Sequence, residues 1–171
     1  MIRKIAITGP ESTGKSLLTE QLAYRYKTCW VPEFARTYLG TLGRPYQEED
    51  ILTIAQGQLH AEESLFQEAS DYLFCDTEFL VTRIWSLVRY GRCNHWIEDR
   101  FFNHRYDLYL LCDIDLPWEF DPLREHPDRR KFLYDFYTKE LMDAKFPFAV
   151  VRGSGPDRLN HAIHIIETFN F

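Results

Sequence analysis

Residues Gly9-Pro10-Glu11-Ser12-Thr13-Gly14-Lys15-Ser16 follow the pattern G-x-x-x-x-G-K-[ST] in full. Each part of the pattern has a use at a phosphate. Gly9 and Gly14 let the backbone curl, so that successive N–H groups, those of Glu11, Ser12 and Thr13 among them, turn toward an anion. A helix opening at the end of such a loop presents the positive end of its dipole to the same charge. Lys15 supplies a cation for the β- and γ-phosphates of a nucleoside triphosphate, and Ser16 a hydroxyl for Mg²⁺. Leu17, the next residue, adds no further hydroxyl. The alternative is a chance Gly-rich turn. Against it, the run stands between an apolar strand-like segment, Lys4 to Thr8, and a stretch that sets Leu18 and Leu22 on one helical face. That is the context a phosphate loop requires, and ATP with Mg²⁺ is the expected ligand pair.

A metal-bound triphosphate needs an acid. Asp71-Tyr72-Leu73-Phe74-Cys75-Asp76 reads as an apolar strand ending in one, which makes Asp76 the candidate metal ligand or catalytic acid. Its other reading is a helix N-cap; position 79 is Phe, so a capping box is absent. Glu33 and Arg36 follow a second short strand, at the edge where open α/β sheets bind ligands. There Glu33 can hold sugar hydroxyls or take the proton of an attacking one, and Arg36 can anchor a second acceptor group; a surface ion pair between the two is the bland alternative. We assign Asp76 mainly to the metal, and Glu33 to the acceptor. Arg124, Arg129 and Arg130 sit in a Pro-rich charged stretch after the fourth strand. They are candidates to neutralise charge on the transferring phosphate from a lid, with a solvated charged loop as the alternative. Trp30, Tyr38, Phe79, Trp85 and Trp118 are possible stacking partners for an acceptor ring.

These residues need a scaffold that gathers them. Apolar runs at residues 4–8, 28–32, 71–76, 108–112 and 148–151 read as strands. Helical patterns lie between them: one or two helices in Gln47 to Ser70, one carrying Leu80, Ile84, Leu87 and Val88 and stopped by Gly91, and a short one at Trp96 to His104. Others run from about Asp128 to Asp143 and after Ser154-Gly155-Pro156, the last with Leu159, Ile163 and Ile166 on one face. Asp113 to Pro127 reads as an exposed loop. Nearly continuous apolar strands alternating with helices predict one domain, residues 1–171. It is α/β, a three-layer P-loop NTPase fold with a five-stranded parallel sheet and helices on both faces.

Bulk properties narrow the function. The 171 residues carry a net charge of −6, which argues against a nucleic-acid partner. Four cysteines form no C-x-x-C pair, no signal peptide precedes the first strand, and no apolar run approaches the ~18 residues of a membrane span. A cytoplasmic protein without a membrane partner, acting on a small molecule, is expected. Asp76-Thr77-Glu78-Phe79 lacks the Gly of a GTPase D-x-x-G, and Thr138-Lys139-Glu140-Leu141 lacks the Asp of a guanine motif. No transporter signature is present, and the chain is short for a remodelling ATPase. A small-molecule kinase with an Arg-containing lid fits best.

Five stretches carry a more specific resemblance: GPESTGKS, Val31-Pro32-Glu33-Phe34-Ala35-Arg36, Asp76-Thr77-Glu78-Phe79, the D-x-P-W-x-x-D-x-x-R segment from Asp115 to Arg124, and Ser154-Gly155. Together they resemble the ribosylnicotinamide kinase domain of NadR-type NAD-biosynthesis proteins, a group of P-loop kinase-like ATPases. The resemblance implies phosphorylation of nicotinamide riboside by ATP. Bifunctional members carry an adenylyltransferase domain upstream, whereas here Met1 leads at once into the first strand, so the kinase step alone is expected. A kinase for another nucleoside or small metabolite, and a regulatory P-loop ATPase, are the other readings.

Overall fold

The structure, a computed structural model, describes residues 1–171. Its elements are β1 (Arg3–Thr8), α1 (Lys15–Tyr26), β2 (Trp30–Val31), α2 (Phe34–Thr41), α3 (Glu48–Phe66), β3 (Tyr72–Asp76) and α4 (Phe79–Tyr90). They continue with α5 (His95–Asn103), β4 (Leu108–Cys112), a 3-10 turn (Pro127–Arg129), α6 (Arg130–Asp143), β5 (Phe148–Val151) and α7 (Gly155–Thr168).

Alternation along each strand divides the core in two. Ile5 and Ile7 of β1, Phe74 of β3, and Leu108, Leu110 and Cys112 of β4 face α1 and α7, meeting Leu18, Leu22, Ala162 and Ile166. Their neighbours Ala6, Leu73, Cys75, Tyr109 and Leu111 face the other way, onto α3, α4, α5 and α6. Both faces of the strands are therefore buried, which is why they read as unbroken apolar runs. The five strands are all parallel, in the order β2-β3-β1-β4-β5. As expected, this is the α/β P-loop kinase-like fold. The chain leaves β1 between strands that continue in opposite directions across the sheet, which opens a crevice at the carboxyl edge. The phosphate loop, Glu33, Asp76, the segment from 113 and the start of α7 all follow strand ends on that edge.

The observed elements depart from expectation in two places. β2 is only two residues long and pairs with β3 alone; Thr28 instead gives its hydroxyl to the Tyr72 carbonyl, and Pro32 has no N–H to extend the ladder. The stretch after it forms α2, a helix that no motif or periodicity in the sequence announces. Its propensity is modest, with Gly40 and two threonines in eight residues, and its start is fixed from outside: the Phe34 N–H donates to Gln58 Oε1 of α3 at 2.8 Å. Of the one or two helices expected between residues 47 and 70, one forms, α3 at Glu48–Phe66, opened by Asp50 accepting from the Gln47 N–H at 2.6 Å. Cys75 and Cys112 are buried free thiols, and Cys29 and Cys93 are also unpaired. No helix is long and apolar enough to cross a membrane.

Candidate active site

The chain leaves β1 through Gly9 at φ 130°, where a Cβ would lie 3.0 Å from the Cys112 carbonyl oxygen; a side chain here would push the loop off β4. Gly14, at φ 73°, precedes α1 and offers no side-chain cap, so the first N–H groups of the helix are left for an anion. The Thr13 hydroxyl donates to the Pro10 carbonyl at 2.8 Å, closing the loop on itself, and Lys15 Nζ reaches the same oxygen at 2.9 Å.

A residue that the sequence reading missed holds this loop from behind. Arg158, buried in the first turns of α7, donates from Nη2 to the carbonyls of Thr13 (2.8 Å) and Asp113 (3.1 Å), and from Nη1 to Asp115 (2.7 Å) and the Gly153 carbonyl (2.9 Å). The available signal was its spacing: Arg158 stands four and eight residues before Ala162 and Ile166, on the buried stripe of α7.

Asp76 lies beneath the site rather than on its wall, and is 2% exposed. Burial, then the charge of Glu33, pushes its carboxyl up to about 6, while the Ser16 hydroxyl, Lys15 and Arg36 pull the other way. Oδ1 is buried without a partner. An orphaned hard oxygen beside a serine hydroxyl suits Mg²⁺, which takes one or two protein oxygens and completes its shell with phosphates and water. Asp76 is not the cap of α4. That role falls to Glu78, which accepts from the Leu80 N–H at 2.5 Å and from the Thr8 hydroxyl at 2.8 Å; burial raises its carboxyl to about 7. Between the two acids, Thr77 adopts φ 68°, a left-handed conformation costly for a β-branched residue, while its N–H donates to Ile7.

A cavity of about 670 Å³ runs from the phosphate loop to an apolar wall of Val81, Ile84, Trp85 and Val88 on α4. Glu33, at the N-cap of α2, and Arg36, in its first turn, line the stretch between. Arg36 lies 3.9 Å from Glu33 and donates to Asp121 at 3.0 Å, so the local pair weighed as the alternative reading is present, as part of a bridge to the opposite rim. Among the aromatic candidates only Trp85 lines this cavity. Trp30 is at the sheet edge, Tyr38 donates to Asp50, Phe79 packs on Trp96 and His104, and Trp118 lies beside Arg124. Tyr46 and Arg44, which no motif singles out, complete the far wall.

Residues 113–126 are not a free loop. The Ser12 hydroxyl accepts from the Glu119 N–H at 2.9 Å, and the Glu11 carboxylate accepts from the N–H groups of Glu125 (3.0 Å) and His126 (3.2 Å). The three lid arginines separate. Arg124 lines the cavity and reaches Ser12 Oγ at 3.3 Å. Arg130 points back under the loop, donating to the carbonyls of Ser12 (3.0 Å) and Leu116 (2.9 Å). Arg129 turns outward, its guanidinium 4.8 Å over the exposed ring of Phe132 and off the cavity wall. It stands at the N-cap of α6 on the solvent side, apart from Arg124 and the cavity.

The profile of the AAA_28 family of AAA domains matches residues 4–158. The trifunctional NAD biosynthesis/regulator protein NadR of Escherichia coli K12 is 31% identical over 138 residues, covering 77% of this chain and 34% of NadR. The chain thus spans about a third of the length of that relative. A crystal structure of NadR protein in complex with NR superposes with a TM-score of 0.81 at 19% identity, over 96% of this chain and 50% of the other. Deoxyadenosine kinase from M. mycoides with bound dCTP superposes with a TM-score of 0.59 at 15% identity, over 97% and 100%. At these identities the two structures establish a common fold.

Proposed function

As the chain belongs to the AAA_28 family of AAA domains, we propose that it is an ATP-dependent kinase phosphorylating nicotinamide riboside to nicotinamide mononucleotide. The observation that carries this reading is the single cavity joining the phosphate loop to an aromatic-apolar wall, with a carboxylate, Glu33, midway. Loop amides and Lys15 hold the β- and γ-phosphates of ATP. Ser16 and Asp76 are the residues to hold Mg²⁺, which when bound neutralises charge on the phosphate oxygens. Glu33 bonds the ribose hydroxyls and takes the proton as one of their oxygens attacks the γ-phosphorus and the bond to the β–γ bridging oxygen breaks. Arg36 steadies the acceptor end of α2 against the lid, and Arg124 meets the charge on the transferring group. The identity with NadR supports this choice of acceptor.

A second acceptor class has its own support. Arg44 lines the far wall, and a guanidinium disfavours a cationic pyridinium relative to a neutral nucleobase. Its pairing with Asp50, at 2.7 and 2.9 Å, offsets that charge, which is why nicotinamide riboside stays first. A coupled ATP-consumption screen over nucleosides tests both. Turnover fastest with nicotinamide riboside supports the first reading, turnover with a neutral nucleoside alone supports the second, and an ATPase rate indifferent to every nucleoside removes both.

A further inference from the structure

Glu125 is gripped from two sides. Its main-chain N–H, with that of His126, donates to Glu11 of the phosphate loop, and His126 Nδ1 lies 3.2 Å from the same carboxylate. Its side chain accepts from the Tyr46 hydroxyl at 2.9 Å. That hydroxyl in turn accepts from the Trp85 indole N–H at 3.0 Å, and the two rings meet edge to face with centroids 5.0 Å apart. Glu11, Tyr46, Trp85, Glu125 and His126 all line the one cavity. A hydrogen-bonded chain therefore runs from the apolar wall at the acceptor end, through the lid, to the loop at the donor end.

We propose that Tyr46 is a positioning residue that couples occupancy of the acceptor-ring wall to closure of the lid over the donor phosphates. The inference rests on the kinase reading above. The Tyr46–Glu125 bond faces solvent, where water competes for both partners and such a bond is worth little. A planar ring docked beside Trp85 and Tyr46 excludes that water and fixes the tyrosine rotamer. The bond strengthens in the drier surroundings, and Glu125 is held where its N–H meets Glu11. The chain then makes closure conditional on an acceptor and limits transfer of the γ-phosphate to water.

Tyr46→Phe keeps the ring and removes the hydroxyl. In steady-state assays with nicotinamide riboside, we expect kcat to fall about tenfold with the nucleoside KM within about threefold, because the lost bond acts on closure rather than on docking. ATP hydrolysis without acceptor is expected to persist, so the ratio of transfer to hydrolysis drops. Amide exchange in a peptide spanning residues 119–126, read with ATP analogue bound, is expected to slow about tenfold on adding nucleoside to wild type and not to slow in Tyr46→Phe. Glu125→Ala should reproduce the variant, the double variant should be no worse than either single one, and Glu125→Gln, which retains an acceptor oxygen, should recover most of the rate. Wild-type kcat and protection in Tyr46→Phe, or a loss confined to KM, overturns the coupling while leaving the kinase reading intact. Absence of any phosphorylated nucleoside with wild type removes that reading and the coupling with it.

Discussion

Arg158 Nη2 donates to the main-chain oxygen of Thr13 at 2.8 Å, joining α7 to the phosphate loop across nearly the whole chain. The same guanidinium binds Asp113, Asp115 and Gly153, so one buried cation sets the loop after β1 against those after β4 and β5. Arg158→Met leaves these acceptors unpaired and is expected to cost about 2–4 kcal/mol in urea unfolding. It should also raise the ATP KM by about tenfold as the loop loosens. Arg158→Lys should rescue little, since an ammonium does not reproduce the fork. Equal denaturation midpoints and equal ATP KM values for Arg158→Met and wild type would contradict the clamp.

Lys15→Ala separates chemistry from folding. The side chain is half-exposed and makes one hydrogen bond within its own loop, so its removal should shift stability by less than about 1 kcal/mol. Turnover should fall by about a hundredfold or more, because the cation at the transferring phosphates is lost. The check is kcat alongside thermal unfolding of the same preparation.

The lid arginines should rank by where they point. Arg124→Ala is expected to lower kcat about tenfold, and Arg129→Ala to stay within about twofold of wild type. Arg130→Ala should act mainly on the loop it supports from Ser12 and Leu116, appearing as a raised ATP KM. Kinetics of the three single variants at saturating and limiting ATP resolve the order; equal losses at Arg124 and Arg129 go against it.

Asp76 gives a pH signature. Its carboxyl, raised from 3.8 to about 6 by burial, binds a proton more tightly in the folded protein than in the unfolded chain. The corresponding stability is present below pH ~4 and is lost as pH rises through about 6. Asp76→Asn, which never carries the buried charge, should therefore be more stable than wild type at pH 7.5 by about 1–3 kcal/mol, with the gap closing at pH 4. Its turnover should vanish, and wild-type kcat/KM in the free enzyme should climb as pH passes about 6. Denaturation of both proteins at the two pH values, with a pH–rate profile, tests the sign.

The sheet and the phosphate loop were legible because their signals are local: five apolar runs, and a loop pattern whose residue types follow from phosphate chemistry. The placement of Asp76 and Glu33 on the carboxyl edge was legible because strand ends converge there in this topology. Other residues depended on long-range packing. α2 needed Gln58 to start it, Arg158 acts through carbonyls that carry no sequence identity, and Tyr46 gains its place from Trp85 and Glu125. The parting of Arg129 from Arg130 was not legible either, because neighbours in sequence are sent opposite ways by the 3-10 turn at the head of α6.

The most direct test asks where the γ-phosphate goes. ³¹P NMR of wild type with MgATP and nicotinamide riboside should show ADP growing in step with a phosphomonoester signal, with little inorganic phosphate, and Glu33→Gln should slow that signal and weaken acceptor binding together. Inorganic phosphate as the sole product, at a rate unchanged by nicotinamide riboside or any other nucleoside, would contradict the assignment of this cavity to phosphoryl transfer.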